Sequence, residues 1–325
     1  MGISINEVGV ACIGAAIVDL IASVDDAQLR EIGLVKGTTV LVSGPESDRL
    51  RTLVSVEREI GGGSAANTAV GVAALNHRST LIARAVGDTL GRVYADQLRG
   101  CGVSLVDDPT ELDLETGRCL VLVTEDGERT MATYLGASQN YFRQGIDLDY
   151  LVRCEALYFE GYLLDSDGAL EGLTAVAREL RSHQVPVILS LSDSLLVERQ
   201  RTAIDHLLRS GVSHVIGNEA EVGTYTGSDS SIAMAQHLRS MGVSGVITLG
   251  EHGALGFDDR DIVTVPAVPG VKVVDTTGAG DLFAAGYLVG LVEHQSLQDS
   301  LNLGTQAAAH VIAHFGARPT RSLRE

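Results

Sequence analysis

The chain has 325 residues, 45% of them hydrophobic, a net charge of −18 and an isoelectric point near 4.8. That length suffices for a large buried core in one α/β domain with a smaller appended element. No basic patch or stripe suits a nucleic acid, and the excess of acid disfavours anionic membranes.

Val8–Ile13 is a short apolar run ending at Gly14, which reads as a buried strand. The longer run Val8–Ile21 lacks a basic start, contains Asp19 and is too short to span a bilayer, so it is neither a signal peptide nor an anchor. Asp25–Gly33 has the mixed charge of a short surface helix, and Thr38–Val42 is β-rich. Ser64–Leu75 is alanine-rich and predicts a helix that packs closely on a neighbour. Thr80–Val86 predicts a strand and Gly91–Arg99 a helix. Arg118–Thr124 and Arg129–Leu135 flank Asp126-Gly127, a strong hairpin signal.

Beyond that hairpin, short apolar runs at Ala156–Phe159, Val185–Ser190, His214–Ile216 and Gly245–Leu249 alternate with helix-length segments such as Gly168–Arg181, Leu195–Arg209 and Ser231–Arg239. The alternation predicts a mostly parallel sheet with helices on both faces. Ile262–Val265 and Val271–Val274 add two more predicted strands. In such sheets ligands bind beyond the carboxyl ends of the strands, where Glu160-Gly161, Ser192-Asp193, Gly217-Asn218 and Gly250-Glu251 fall. Cys12, Cys101, Cys119 and Cys154 have the wrong spacing for zinc, and a chain this long needs no disulfides. Four buried thiols in a soluble cytoplasmic protein are expected.

The stretch Val273–Gly286, VVDTTGAGDLFAAG, carries the chemistry. It places the backbone N–H groups of Gly278, Ala279 and Gly280 at the start of a predicted helix, Leu282–Leu291. Unpaired N–H groups and the helix dipole form an anion site that small residues leave open. Asp281 sits in the first turn beside it, where the dipole is expected to keep its carboxylate ionised. An anion cradle next to a carboxylate suits phosphoryl transfer to an alcohol. On spacing alone, a tight turn with an N-terminal helix charge explains these residues equally well.

Asp275–Asp281 followed by an apolar helix resembles the signature of the PfkB/ribokinase family of sugar and nucleoside kinases. Other motifs resemble the family's in the same order: Gly14–Asp19, Gly61–Asn67, Asn218-Glu219-Ala220-Glu221 and Thr248–Gly253. The resemblance covers nearly the whole chain and implies a ribokinase-like α/β fold. It implies a three-layer α/β/α core (1–14, 44–116 and 137–325) and a small β-sheet lid (15–43 and 117–136). It makes Asp281 the catalytic base and Gly278, Ala279 and Gly280 the anion hole. Asp19, Gly63 and Asn67 become substrate contacts. Thr248, Gly250 and Gly253 line the ATP site, and Asn218 and Glu221 order water around Mg²⁺. Asp275 and Thr277 help hold a monovalent cation such as K⁺. The lid closes over the substrate or forms a homodimer contact, so monomer and dimer are both open.

No Walker A lysine is present, so backbone N–H groups, the helix dipole and Mg²⁺ must balance the phosphates. Gly61–Ala66 also fits a dinucleotide fingerprint, but Glu57-Arg58-Glu59 reads as exposed where that motif needs a buried strand. An NAD-dependent oxidoreductase and a non-catalytic sugar or nucleotide binder are therefore the alternatives. His310 and His314 have the i, i+4 spacing of a zinc pair without an obvious third ligand, and read better as helix-face histidines near the nucleotide pocket. Tyr162 reads as core; Tyr134 and Tyr141 are open between core and acceptor pocket. Ala15–Asp19, Gly33–Gly37, Glu128–Met131, Tyr134–Ala137 and Gly316-Ala317-Arg318-Pro319 look most like the bacterial adenosine-kinase-like branch. That implies a ribofuranosyl acceptor phosphorylated at its hydroxymethyl group, a nucleoside first and a free sugar second.

Overall fold

The computed structural model describes residues 8–106, 114–144 and 146–324. The large sheet has nine strands in the spatial order Ile262–Val265, Ala254–Phe257, Ser244–Thr248, His214–Asn218, Val187–Ser190, Ala156–Glu160, Val10–Ile13, Ser79–Ile82 and Ser104–Val106. The strands from Ser244–Thr248 to Ser104–Val106 pair in parallel, and Ala254–Phe257 and Ile262–Val265 are antiparallel. The residues of the central strands are buried on both faces, as a parallel sheet covered by helices requires. Residues Val10 and Cys12 belong to one apolar cluster and Ala11 and Ile13 to the other, so two cores flank one sheet. This is a three-layer α/β/α architecture.

The chain builds outward from Val10–Ile13 in one direction first, then from Ala156–Glu160 in the other. A crevice opens where the order reverses. Gly14 and Glu160 meet there: a Cβ on Gly14 would lie 2.8 Å from Glu160 Oε2.

A second, five-stranded sheet has the order Thr39–Leu41, Arg129–Tyr134, Gly117–Val123, Ile17–Ser23 and Arg58–Gly61. The hairpin at Asp126-Gly127 forms, with Gly127 at φ 82°. One face of this sheet, carrying Val18, Leu20, Leu120 and Ala132, packs with Leu29, Ile32 and Leu50 of the helices Asp26–Ile32 and Gly44–Thr52. The opposite face carries Ile17, Ile21, Cys119, Val121 and Met131. The period of two puts Asp19 and Arg129 on that face as well.

The alanine-rich helix spans Ser64–Ala74 and lies against the helix Ala279–Val292. A Cβ on Gly71 would come 2.6 Å from Ala285 Cβ. The helices Ala279–Val292 and Leu297–Val311 approach as closely, backbone to backbone at Gly286 and Gly304.

Several elements differ from expectation. The run at 271–274 forms no strand; Val274 N–H donates to Ile312 O instead, and Val273 and Val274 stay exposed. Arg58–Gly61 is a strand, and it joins the smaller sheet rather than the core to which 44–116 was assigned. The helix Gly44–Thr52 is absent from the predicted elements; Ser43 caps it by accepting from Glu46 N–H, and Pro45 sits in its first turn. Cys101 is exposed, whereas the other three cysteines are buried; all four are free thiols. No helix among the described residues is long and apolar enough to cross a membrane.

Candidate active site

Asp281 stands in the first turn of the helix Ala279–Val292, at the carboxyl end of the large sheet. Its Oδ1 accepts from Ser64 Oγ at 2.6 Å and its Oδ2 from Asn67 Nδ2 at 3.0 Å. Packing explains the meeting. Gly71 and Ala285 touch one helical turn beyond Asn67 and Asp281, so the close approach of the helices brings the polar pair within reach. Asn67 Oδ1 in turn accepts from Arg318 Nε at 3.2 Å, and Arg318 Nη2 reaches Gly62 O at 3.4 Å.

Asp19 lies on the smaller sheet directly over the glycine motif. A Cβ on Gly62 would come 2.6 Å from Asp19 Oδ2, so any larger residue there would push the Asp19 carboxylate aside. Gly63 has φ 91° and caps the Ser64–Ala74 helix, and a Cβ there would meet Ala15 O at 2.6 Å. The expected substrate residues Asp19, Gly63 and Asn67 therefore converge beside Asp281. Glu160, to which no role was assigned, ties the elements together. Its carboxylate accepts from Ala15 N–H at 2.9 Å and Ala65 N–H at 2.7 Å.

The three carboxyls are electrostatically strained in one direction. Burial raises Asp281 above its ordinary range, against the pull of Ser64, Asn67 and Arg318. Burial also raises Asp19 to about 6, with Arg318 and then Arg129 pulling it down. Glu160 rises to about 7 through burial and the charge of Asp281, offset by its two backbone donors. Desolvation outweighs the stabilising partners of Asp281 and raises its affinity for a proton.

Gly278 caps the Asp281 helix at φ 79°, and a Cβ on it would meet Ala317 O at 2.6 Å. Of the three amides expected in the anion hole, that of Ala279 donates to Thr276 O at 3.1 Å and closes the turn. Gly280 faces open space: a Cβ there has no neighbour within 4 Å. Ala279 and Gly280 form one end of a cleft of about 830 Å³. Thr248, Gly250, Gly253 and Phe283 line it further along. The cleft's size, its glycine-lined wall and its helix N-terminus fit a nucleotide and its phosphates.

Asn218 and Glu221 form a reciprocal capping box at the start of the helix Glu219–Thr226. Glu221 N–H donates to Asn218 Oδ1 at 2.9 Å, while Glu221 accepts from Asn218 N at 3.0 Å and Asn218 Nδ2 at 2.8 Å. Burial raises Glu221, with Asn218 opposing and Asp193 reinforcing the shift. Among the described residues no group of three His, Cys, Asp or Glu could hold a metal.

Of the tyrosine expectations, one changes. Tyr162 is 42% exposed rather than core, with its hydroxyl 3.4 Å from Ser192 O. Tyr134 is buried beneath the Arg118 guanidinium, on the helix-covered side of the smaller sheet. The side chain of Tyr141 lies outside the described residues. His310 and His314 stack edge to face, and Ala308, Ala309 and Ile312 beside them line the cleft. Arg129, Arg318, Ser64 and Glu160 were not picked out as site residues. Glu160 was marked by its place at the end of a predicted strand, and Ser64, Arg129 and Arg318 only by lying within family-like stretches.

A family profile described as pfkB family carbohydrate kinase matches residues 9–323. The chain belongs to this family. Among solved structures, the kinase is similar to a probable sugar kinase from Rhizobium etli CFN 42, at 35% identity and TM-score 0.89, covering 98% of this chain and 97% of the other. It is also similar to the adenosine kinase from Sinorhizobium meliloti, at 36% identity, TM-score 0.88 and the same coverage. The ribokinase of Arabidopsis thaliana is 28% identical over 80% of this chain and 69% of the relative. The chain is thus a ribokinase-like phosphotransferase that acts on an alcohol group of a nucleoside or sugar. The dinucleotide reading falls away, because Gly61–Ala66 follows an antiparallel strand of the smaller sheet.

Proposed function

We propose that this kinase transfers the terminal phosphoryl group of ATP to the 5′-hydroxymethyl group of a nucleoside, adenosine first. The observation that carries the reading is the convergence of Asp19, Asn67 and Asp281 beside Gly280, at the end of the nucleotide-sized cleft. The similarity to a bacterial adenosine kinase over 98% of the chain supports the nucleoside, and the ribokinase relative keeps a free sugar as the second choice.

In this reading Asp19 grips acceptor hydroxyls and Asn67 orients both acceptor and base. Asp281 accepts the hydroxyl proton, and its burial-raised affinity for that proton makes it a better base than an exposed aspartate. The free amides at the Gly278–Gly280 turn stabilise charge on the transferring group. Mg²⁺, when bound with the nucleotide, would neutralise phosphate charge, with Glu221 holding its outer water. The smaller sheet acts as a lid that shields the site from water. One lid face is covered by the helices Asp26–Ile32 and Gly44–Thr52 and the other turns to the site, which favours a monomer over a lid-to-lid dimer. Four free thiols suit the reducing cytoplasm.

The test is ADP release with MgATP against adenosine, inosine, guanosine, cytidine, ribose and fructose. Adenosine is expected to give the highest kcat/KM. Turnover of ribose or fructose alone would overturn the nucleoside assignment.

A further inference from the structure

The oxygens that Asp275 and Thr277 would offer a monovalent cation are already engaged. Asp275 Oδ1 accepts from Thr277 N–H at 3.0 Å and Thr277 Oγ1 at 2.6 Å. Its Oδ2 accepts from Gly316 N–H at 3.0 Å and from Arg129 Nη2 at 2.7 Å. Arg129 Nη1 donates to Thr277 Oγ1 at 2.6 Å. One guanidinium therefore forks across both residues, a geometry that a planar cation with fixed donors holds well. The Asp275 side chain is only 10% exposed, so its negative charge needs a close counter-charge, and Arg129 is that charge. Burial pushes Asp275 up, yet Thr277, Gly316 and Arg129 hold it below the usual carboxylate range.

The two ends of this contact belong to different sheets. Arg129 begins the strand Arg129–Tyr134 of the smaller sheet. Asp275 and Thr277 lead directly into Gly278, the cap of the Asp281 helix. The fork thus connects the lid to the loop that presents the anion-binding amides.

We propose that Arg129 replaces a monovalent cation in this kinase and is the positioning residue that fixes the Asp275–Gly278 loop when the lid is closed. The inference rests on the kinase reading and goes beyond it: the positive charge is delivered by lid closure rather than drawn from solution. Turnover is then independent of K⁺, and the loop that presents the anion hole is set by its contact with the lid.

Two measurements on the full-length protein test this. The first is the melting temperature of the wild type in K⁺ against tetramethylammonium at equal ionic strength, which needs no substrate. No K⁺-specific shift is expected, and a clear stabilisation by K⁺ would overturn the proposal even if no acceptor were turned over. The second compares wild type, Arg129→Lys and Arg129→Met in both salts. Wild-type kcat is expected to change by less than about two-fold between salts. Arg129→Met is expected to lose kcat by about 10²-fold, as misplacement of the reacting groups does, and to recover part of it with K⁺ or guanidinium. Arg129→Lys should retain more activity than Arg129→Met. A wild type strongly stimulated by K⁺, or a folded Arg129→Met with wild-type kcat, would contradict the assignment. If Arg129→Met does not fold, the wild-type and Arg129→Lys comparisons still decide. Absence of turnover on every acceptor would count against the kinase reading, not against the melting result.

Discussion

Asn67 donates its side-chain amide to the Asp281 carboxylate across 3.0 Å, joining positions 214 residues apart. Its carbonyl faces the Arg318 guanidinium at 3.2 Å, so one amide orients the base and is itself oriented. Asn67→Ala removes both contacts and leaves the Asp281 carboxylate held by Ser64 alone. A fall in kcat of about 10²-fold is expected, read by single-turnover kinetics, with nucleotide affinity unchanged.

The base is also positioned from a distance by Gly71. A methyl group there would lie 2.6 Å from Ala285 Cβ and 2.8 Å from Leu282 Cδ1, which are backed by a buried helix. Gly71→Ala should therefore spread the two helices one turn below Asn67 and Asp281. We expect a stability loss of about 1–3 kcal/mol in denaturant titrations, the usual range for overpacking. A fall in kcat larger than the fall in acceptor affinity should accompany it, although the residue touches no substrate.

Arg318 is the positive charge that opposes burial at Asp281 and Asp19. Both carboxyls have raised affinities for a proton, and both act ionised, so activity is present above the raised value and is lost as pH falls through it. With Asp19 at about 6, kcat/KM is expected to decline on the acid side near that pH. Arg318→Met removes the opposing charge and should move the acid limb upward by roughly one pH unit. Glu160, the nearby buried carboxyl, remains in place in that variant. Arg318→Lys should move the limb less.

Glu221 has a local task and a proposed distant one. The capping box explains why it sits three residues after Asn218. Glu221→Gln retains a box-forming side chain and should change stability by less than about 0.5 kcal/mol. It removes the negative charge proposed to order water around Mg²⁺, so the Mg²⁺ concentration for half-maximal activity should rise. Glu221→Ala breaks the box as well and should cost about 1 kcal/mol in addition.

Much of this site is written locally, and that part was legible. Gly278, Ala279, Gly280 and Asp281 are adjacent, and their small side chains and helix-start position announce an open amide turn. Asn218 and Glu221 stood out as a family-like motif, and their capping box emerged only in the structure. Strand and helix alternation after residue 156 gave the parallel sheet. What was hidden depends on chain crossings. Arg129 meets Asp275 across 146 residues, Glu160 meets Ala65 across 95, and Arg318 meets Asn67 across 251. No periodicity links such pairs. The run 271–274 is apolar enough to predict a strand, but Val271 and Val273 line the cleft and the run pairs with no ladder. The raised proton affinity of Asp281 was equally hidden, since the depth of a carboxyl emerges only once helices pack around it.

The most direct test of the account is turnover and binding in Asp281→Asn. The substitution keeps the size of the side chain and removes its capacity as a base. The account predicts that nucleotide and acceptor bind within a few-fold of the wild type by calorimetry, while kcat falls by about 10²–10⁴-fold, the range for losing a general base. Near-wild-type turnover in a folded Asp281→Asn protein would contradict the central assignment, and the phosphoryl acceptor's proton would have to leave by another route.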